Sequence, residues 1–244
     1  MKRHINTPSY KAKMLYKNKL LMVIAALLLA QIIFLANFRI LVFNSSYYKH
    51  RFAEENTYAR VPDADATTKD ILDYYHGNYQ GKMNVIQSSA FNEREIKHLA
   101  DVKKLVNRTI YYLYFLAAAE LLLIIGIMTF SNRNKKEFLN YVLKALLLSS
   151  LTVISVSGAL FIASNYFPQL FEAFHQLFFE QGTYVFGETD TLIKLFPESF
   201  FYRFSYDIIL NSAITAAAIL LIATTAILAL KKKYINRNLL HTKR

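Results

Sequence analysis

His98 and His175 are the side chains best placed to move protons in this sequence. His98 lies in Phe91–Arg108 (FNEREIKHLADVKKLVNR), where Ile96, Leu99, Val102, Leu105 and Val106 recur at helical spacing. Asp101 follows it by one helical turn, where a carboxylate orients an imidazole or stabilises its charge. His175 lies in Phe167–Phe204 (FPQLFEAFHQLFFEQGTYVFGETDTLIKLFPESFFYRF), an aromatic and acidic stretch unlike the rest of the chain. Asp190, flanked by Thr189 and Thr191, is the matching acid there. One imidazole as base and one as acid suffice for acyl transfer: one activates the nucleophile, the other protonates the leaving group. Two other readings use the same residues. Two histidines with Asp101, Asp190 or Glu172 make enough ligands for a metal, although no H-E-x-x-H spacing is present. Both histidines also fit as plain amphipathic residues at an interface. His50 and His76 stand in less patterned segments and read as surface residues. No serine or threonine sits in a nucleophile elbow, and no glycine-rich phosphate loop occurs. The chain has no cysteine, which excludes thiol chemistry, disulfides and Cys-based zinc sites.

The elements that hold these residues are apolar and long. Of the 244 residues, 54% are hydrophobic and 19% charged, which implies membrane spans. The net charge of +12 lies beside apolar runs, so it reads as orientation in a membrane rather than nucleic-acid binding. Residues 1–19 are basic (Lys2, Arg3, Lys11, Lys13, Lys17, Lys19) and carry no acid. Residues 20–42 form a first span, longer than the apolar region of a signal peptide. Arg39, near its outer end, reads either as a snorkelling side chain or as a guanidinium aimed at a lipid head group or the site. Residues 43–108 form a first outer loop, in which ten basic residues nearly balance nine acids. Within it, Val61–Asp65 reads as a turn, Lys69–Tyr75 as a short helix or strand, and Asn92 with Glu95 as a helix-capping box. The second span is 109–130, with Glu120 near its middle as a proton relay or a helix–helix hydrogen bond to Ser149, Ser150 or Ser155. A basic loop (131–138, with Arg133, Lys135 and Lys136) leads to the third span, 139–163. The second outer loop, 164–206, holds the aromatic stretch; rings with polar neighbours belong at the membrane–water boundary. The fourth span is 207–230, and the tail, 231–244, is basic from Lys231-Lys232-Lys233 to Arg244. The expected fold is therefore an all-α membrane protein with four transmembrane helices. Both termini lie in the cytoplasm, and the two outer loops form an extracytoplasmic cap.

Two blocks, EREIKHLADVKKL and FHQLFFEQGTYVFGETDTLIKLFPESFFY, resemble the bacterial lipoprotein intramolecular transacylase (Lit) family. The similarity covers most of the chain in layout and is specific in His98–Leu105 and Phe174–Phe201. It implies two catalytic histidines, His98 and His175, at the cap–membrane interface within an aromatic surround. Phe174, Phe178, Tyr184, Phe186 and Tyr202 then line the substrate with Arg39, while Asp101, Asp190 and Thr191 orient the histidines. Relatives often carry tryptophan in the second block, where this chain has Tyr184 and Tyr202. The implied substrate is a diacylglyceryl-modified lipoprotein with a free N-terminal cysteine amine, in a bacterial cytoplasmic membrane. The implied reaction moves the sn-2 acyl chain to that amine and leaves a lyso-form lipoprotein, with no cofactor or metal.

A second class of function fits the same composition. A non-catalytic membrane subunit or sensor would use an aromatic cap to bind a partner. Loss of one imidazole separates the two readings, since a binding module survives it and a transferase does not. A transporter fits less well, with a single midplane acid and no broken helices.

Overall fold

A computed structural model describes residues 10–77, 90–131 and 134–242, and every regular element among them is helical. Lys2, Arg3, Arg133 and Arg244, counted above in the basic segments, lie outside the described residues. In chain order the helices are α1 (Tyr10–Val42), α2 (Ser45–Glu54), α3 (Thr57–Arg60), α4 (Ala64–His76), α5 (Glu93–Phe130), α6 (Lys135–Ala163), α7 (Phe167–Phe178), α8 (Thr191–Leu195) and α9 (Glu198–Thr242). A single 3-10 turn, Ser164–Tyr166, joins α6 to α7. Four helices, α1, α5, α6 and α9, are long and apolar enough to cross a membrane.

The chain divides into two compact units. One comprises Met1–Phe34, Tyr114–Ser157 and Ser212–Arg244. Its interior is rich in small residues: Ala25, Ala26, Ala30, Ala145, Ser149, Ser150, Ser212, Ala216 and Ala223 are buried, alongside Ile33, Leu116, Ile127, Tyr141 and Val153. Small side chains let helix backbones approach closely, which is how helices associate where lipid removes the hydrophobic drive between them. Many of its large apolar side chains nevertheless point outward, among them Leu27, Leu121, Leu122, Leu221 and Ile222. A soluble protein does not carry such a surface; a lipid-facing one does. Of the three serines proposed as partners for Glu120, Ser149 and Ser150 donate instead to the carbonyl of Leu146 at 2.9 and 2.8 Å, and Ser155 is exposed. Glu120 Oε2 is buried with no hydrogen-bond partner among the described residues.

The other unit comprises Leu35–Leu113 and Gly158–Asn211, and so unites the two segments read as outer loops. Its core is aromatic: Phe52 is fully buried against Tyr48, Tyr58, Phe196 and Phe200, and Leu195 is fully buried in the same cluster. Ala64, Thr68, Ile71, Leu72 and Tyr75 are buried on α4 at helical spacing, which settles Lys69–Tyr75 as helix rather than strand. That helix begins inside the segment read as a turn, and it ends where Gly77 takes φ +82°, a left-handed conformation that favours glycine. Asn44 caps α2 by accepting from the amides of Ser46 and Tyr47. The start of α9 is tied to α2 through Asp207, which accepts from Tyr47 Oη at 2.8 Å and pairs with Arg51 at 3.2 Å.

Candidate active site

His98 enters the site from α5, whose start is fixed by a reciprocal cap. The Asn92 side chain accepts from the Glu95 amide at 3.0 Å, and Glu95 Oε2 accepts from the Asn92 amide at 2.8 Å. The other oxygen, Glu95 Oε1, accepts from the amide of Leu192 on α8 at 2.7 Å. Glu95 is only 1% exposed, and its two oxygens accept from backbone N–H groups of both segments of the unit. Thr191 adds a bond from its hydroxyl to the carbonyl of Ala90 at 2.6 Å. One turn after Glu95 comes His98, ahead of the apolar run that starts at Thr109.

His175 enters from the last turn of α7. Its Nδ1 lies 2.7 Å from the carbonyl oxygen of Phe171, one turn back. A carbonyl only accepts, so Nδ1 carries the hydrogen and the neutral ring presents Nε2 as a lone pair. The two imidazoles lie nearly parallel, with centroids 6.1 Å apart and planes 16° apart. Phe179 packs on both, at 4.7 Å from His98 and 5.5 Å from His175. Phe186 meets His98 edge-on at 5.2 Å. Phe171, Tyr184 and Phe174 surround His175 at 4.4, 5.1 and 5.6 Å.

Electrostatics keep His98 neutral. Burial, first, and then the His175 imidazole lower its pKa to about 4, against the opposing field of the Asp101 carboxylate. Its Nδ1 is buried and finds no hydrogen-bond partner among the described residues. Asp101 itself pairs with Lys104 at 2.9 Å, so it acts on His98 through its field.

The other residues singled out by sequence fall at varying distances from this pair. Asp190 does not pair with His175. It binds the Gly187 amide at 2.8 Å, Asn92 Nδ2 at 2.9 Å and Arg94 at 3.2 Å, and so fastens the loop after Phe186 to the start of α5. Phe178 stacks on Phe174 at 4.9 Å. Tyr202 reaches His175 through a chain of rings, with Phe167 at 5.3 Å and Phe167 to Phe171 at 5.5 Å. Arg39 is exposed on the last turn of α1. His50 and His76 are exposed, and His50 pairs with Glu54 at 3.2 Å. Phe171 and Phe179 were not singled out, yet Phe171 stands four residues before His175 on the same helical stripe, and Phe179 is the residue that caps the end of α7. Arg94 was missed too; its guanidinium lies 5.6 Å over the Phe186 ring. Among the described residues no three His, Asp or Glu side chains gather closely enough to hold a metal ion.

Solved structures with the same fold are enzymes of one kind. The membrane integral lipoprotein intramolecular transacylase Lit from Bacillus cereus matches at 20% identity and a TM-score of 0.70, covering 90% of this chain and 98% of that one. A histidine-to-alanine variant of it matches at 21% identity and a TM-score of 0.69, covering 90% and 96%. No curated protein matches the chain. The family model described as lipoprotein intramolecular transacylase Lit matches residues 19–201, well over half of the sequence. The chain therefore belongs to the Lit family of lipoprotein intramolecular transacylases.

Proposed function

We propose that this protein moves the sn-2 acyl chain of a diacylglyceryl-modified lipoprotein to the amine of its N-terminal cysteine. The observation that carries the reading is the pair of parallel imidazoles, 6.1 Å apart, inside a wall of rings. Amine and ester belong to one substrate molecule, so the protein's main task is to fold it into a near-attack geometry. The amine nitrogen attacks the ester carbonyl carbon, and a tetrahedral intermediate forms. His175 Nε2, free because Nδ1–H is bonded to Phe171, takes the proton from the attacking nitrogen. Neutral His98 then donates a hydrogen bond to the oxygen on which charge develops, as a neutral imidazole does without becoming a cation first. The carbon–oxygen bond breaks, and the proton gained by His175 passes to the departing alkoxide. One ester becomes one amide and one free hydroxyl, with a net shift of one proton from nitrogen to oxygen. Phe171, Phe179, Tyr184 and Phe186 exclude the water that would hydrolyse the ester. Asp101 tunes His98 through its field, and Asp190 and Thr191 hold the second loop against the first. Phe174, Phe178, Tyr202 and Arg39 extend the apolar and cationic surface toward lipid. The site faces the extracytoplasmic side, and both termini face the cytoplasm.

The test is mass spectrometry of one lipoprotein's N-terminal peptide after co-expression with each variant. Losing the proton carrier, His175, costs about 10²–10⁴-fold in rate and losing the hydrogen-bond donor, His98, about 10²–10³-fold, so His98→Ala and His175→Ala each leave the diacyl form dominant. The double replacement is little worse than either single one, because members of one catalytic unit are not additive. His50→Ala converts normally. Near-normal conversion by either single variant, shown to be membrane-inserted, refutes the pair and favours a partner-binding module.

A further inference from the structure

Helix α7 has three different faces. Leu170, Phe174, Leu177 and Phe178 follow the i, i+4, i+7, i+8 spacing of one face, and all four are exposed, Leu177 by 76%. Gln169, Glu172 and Gln176 share a second face and are exposed as well. Phe171 and His175 form the half-buried stripe between them. A helix covered by a protein partner has one solvated face. A helix with an exposed large apolar face beside an exposed polar one fits a boundary between oil and water.

The chain before α7 says which oil. Leu160, Phe161 and Ile162 are exposed at the end of the membrane-length helix α6, and Tyr166 follows them in the 3-10 turn. Only three residues separate this exposed apolar end of α6 from α7 and its Leu170 face. The surface of α6 is lipid-facing by the argument that makes it a span, and α7 follows it directly in the chain.

We propose that α7 lies in the membrane interface, with its Leu170–Phe174–Leu177–Phe178 face docked into the acyl region of the adjacent leaflet. Glu172, Gln169 and Gln176 stay at the head groups, where Gln176 already bonds to Glu172 at 2.9 Å. If the transacylase reading holds, the docking has a catalytic consequence. It sets the His175 imidazole at the depth of the glyceryl esters, with Phe174 and Phe178 beside the acyl chains.

The chain has no tryptophan, so one introduced indole reports without background. The full-length variants Leu177→Trp, Phe178→Trp and Gln176→Trp would be placed in phosphatidylcholine–phosphatidylglycerol vesicles with or without brominated acyl chains. Leu177→Trp and Phe178→Trp should emit blue-shifted and lose at least half their intensity to the bromines. Gln176→Trp should emit as in water and lose little. Water-like, unquenched emission from both apolar-face variants overturns the proposal. Blue-shifted emission that bromine leaves untouched overturns it too, and assigns the face to a second copy of the chain. Phe178→Trp swaps one ring for another, so it reports even where Leu177→Trp fails to insert. None of these outcomes requires turnover: quenching without conversion of lipoprotein sinks the transacylase reading alone.

Discussion

Two influences oppose a proton on His98, and one favours it. The ring is half-buried among Phe179 and Phe186, and a second imidazole lies parallel to it. Desolvation and the neighbouring ring lower its pKa to about 4, while Asp101 pulls the other way. The neutral ring therefore persists as pH falls from 8 through the ordinary histidine range, near 6.5, and is lost only near 4. The unfolded chain binds that proton first, so this residue's contribution to stability is complete above about 6.5 and lost as pH falls toward 4. Nuclear magnetic resonance of histidine-labelled protein in micelles should show the His98 signals flat between pH 8 and 5.5. His175→Ala should move the midpoint up, since it removes a lowering influence; Asp101→Asn should move it down further. A midpoint near 6.5 in the parent protein, or opposite shifts in the variants, defeats this account. The sequence shows His98 and Asp101 one turn apart, and the structure keeps that spacing. It does not show that Lys104, one turn beyond, takes the carboxylate's hydrogen bond at 2.9 Å. Lys97, His98 and Lys104 all lie within about a turn of Asp101, and only packing chooses between them.

At the scale of elements, Glu95 is the joint on which the site's geometry rests. One carboxylate oxygen closes the cap of α5 and the other holds the first turn of α8. The capping box is legible from the four letters of Asn92–Glu95, because both partners are local. The bond to Leu192 is not, because its partner lies 97 residues away and any backbone amide serves equally well. The same limit explains Asp190: its neighbours in sequence suggest His175, but the loop fold carries it to Asn92 and Arg94. Glu95→Ala removes both bonds and buries unpaired amides, at a cost on the order of 3 kcal/mol or more. Glu95→Gln keeps one acceptor but turns an amide donor toward a backbone N–H, and should cost about 1.5–3 kcal/mol. Thermal unfolding of detergent-solubilised protein should rank parent above Gln above Ala. An alanine variant as stable as the parent removes Glu95 from the fold's supports. The short-helix reading of α4 shows the converse case: its period is carried by Ala64, Thr68, Ile71, Leu72 and Tyr75, but the ambiguous window Lys69–Tyr75 is too short to display it.

Across the whole molecule, charge and apolar length carry the most information, because both are properties of stretches rather than of single contacts. The four membrane-length helices coincide with the four apolar runs in the sequence. Their packing does not emerge from the runs, since it depends on which alanines and serines face one another. Orientation follows from the cations. Lys17, Lys19, Lys135, Lys136 and Lys231–Lys233 stand at the ends of spans on one side of the alternation, whereas residues 43–108 carry nearly equal numbers of acids and bases. Short segments rich in lysine and arginine stay in the cytoplasm. By that rule Lys231–Lys233 are expected inside and α2 and α7 outside. The chain has no cysteine, so single cysteines can be labelled without background. Lys49→Cys on α2 is well exposed, with 61% of the parent side chain accessible. Lys232→Cys is exposed on α9 and leaves the other tail cations in place. A membrane-impermeant maleimide should label Lys49→Cys in intact cells and Lys232→Cys only after the membrane is opened. The reverse pattern would put His98 and His175 on the cytoplasmic face, away from an exported lipoprotein's N-terminus, and the proposed substrate would have to be given up.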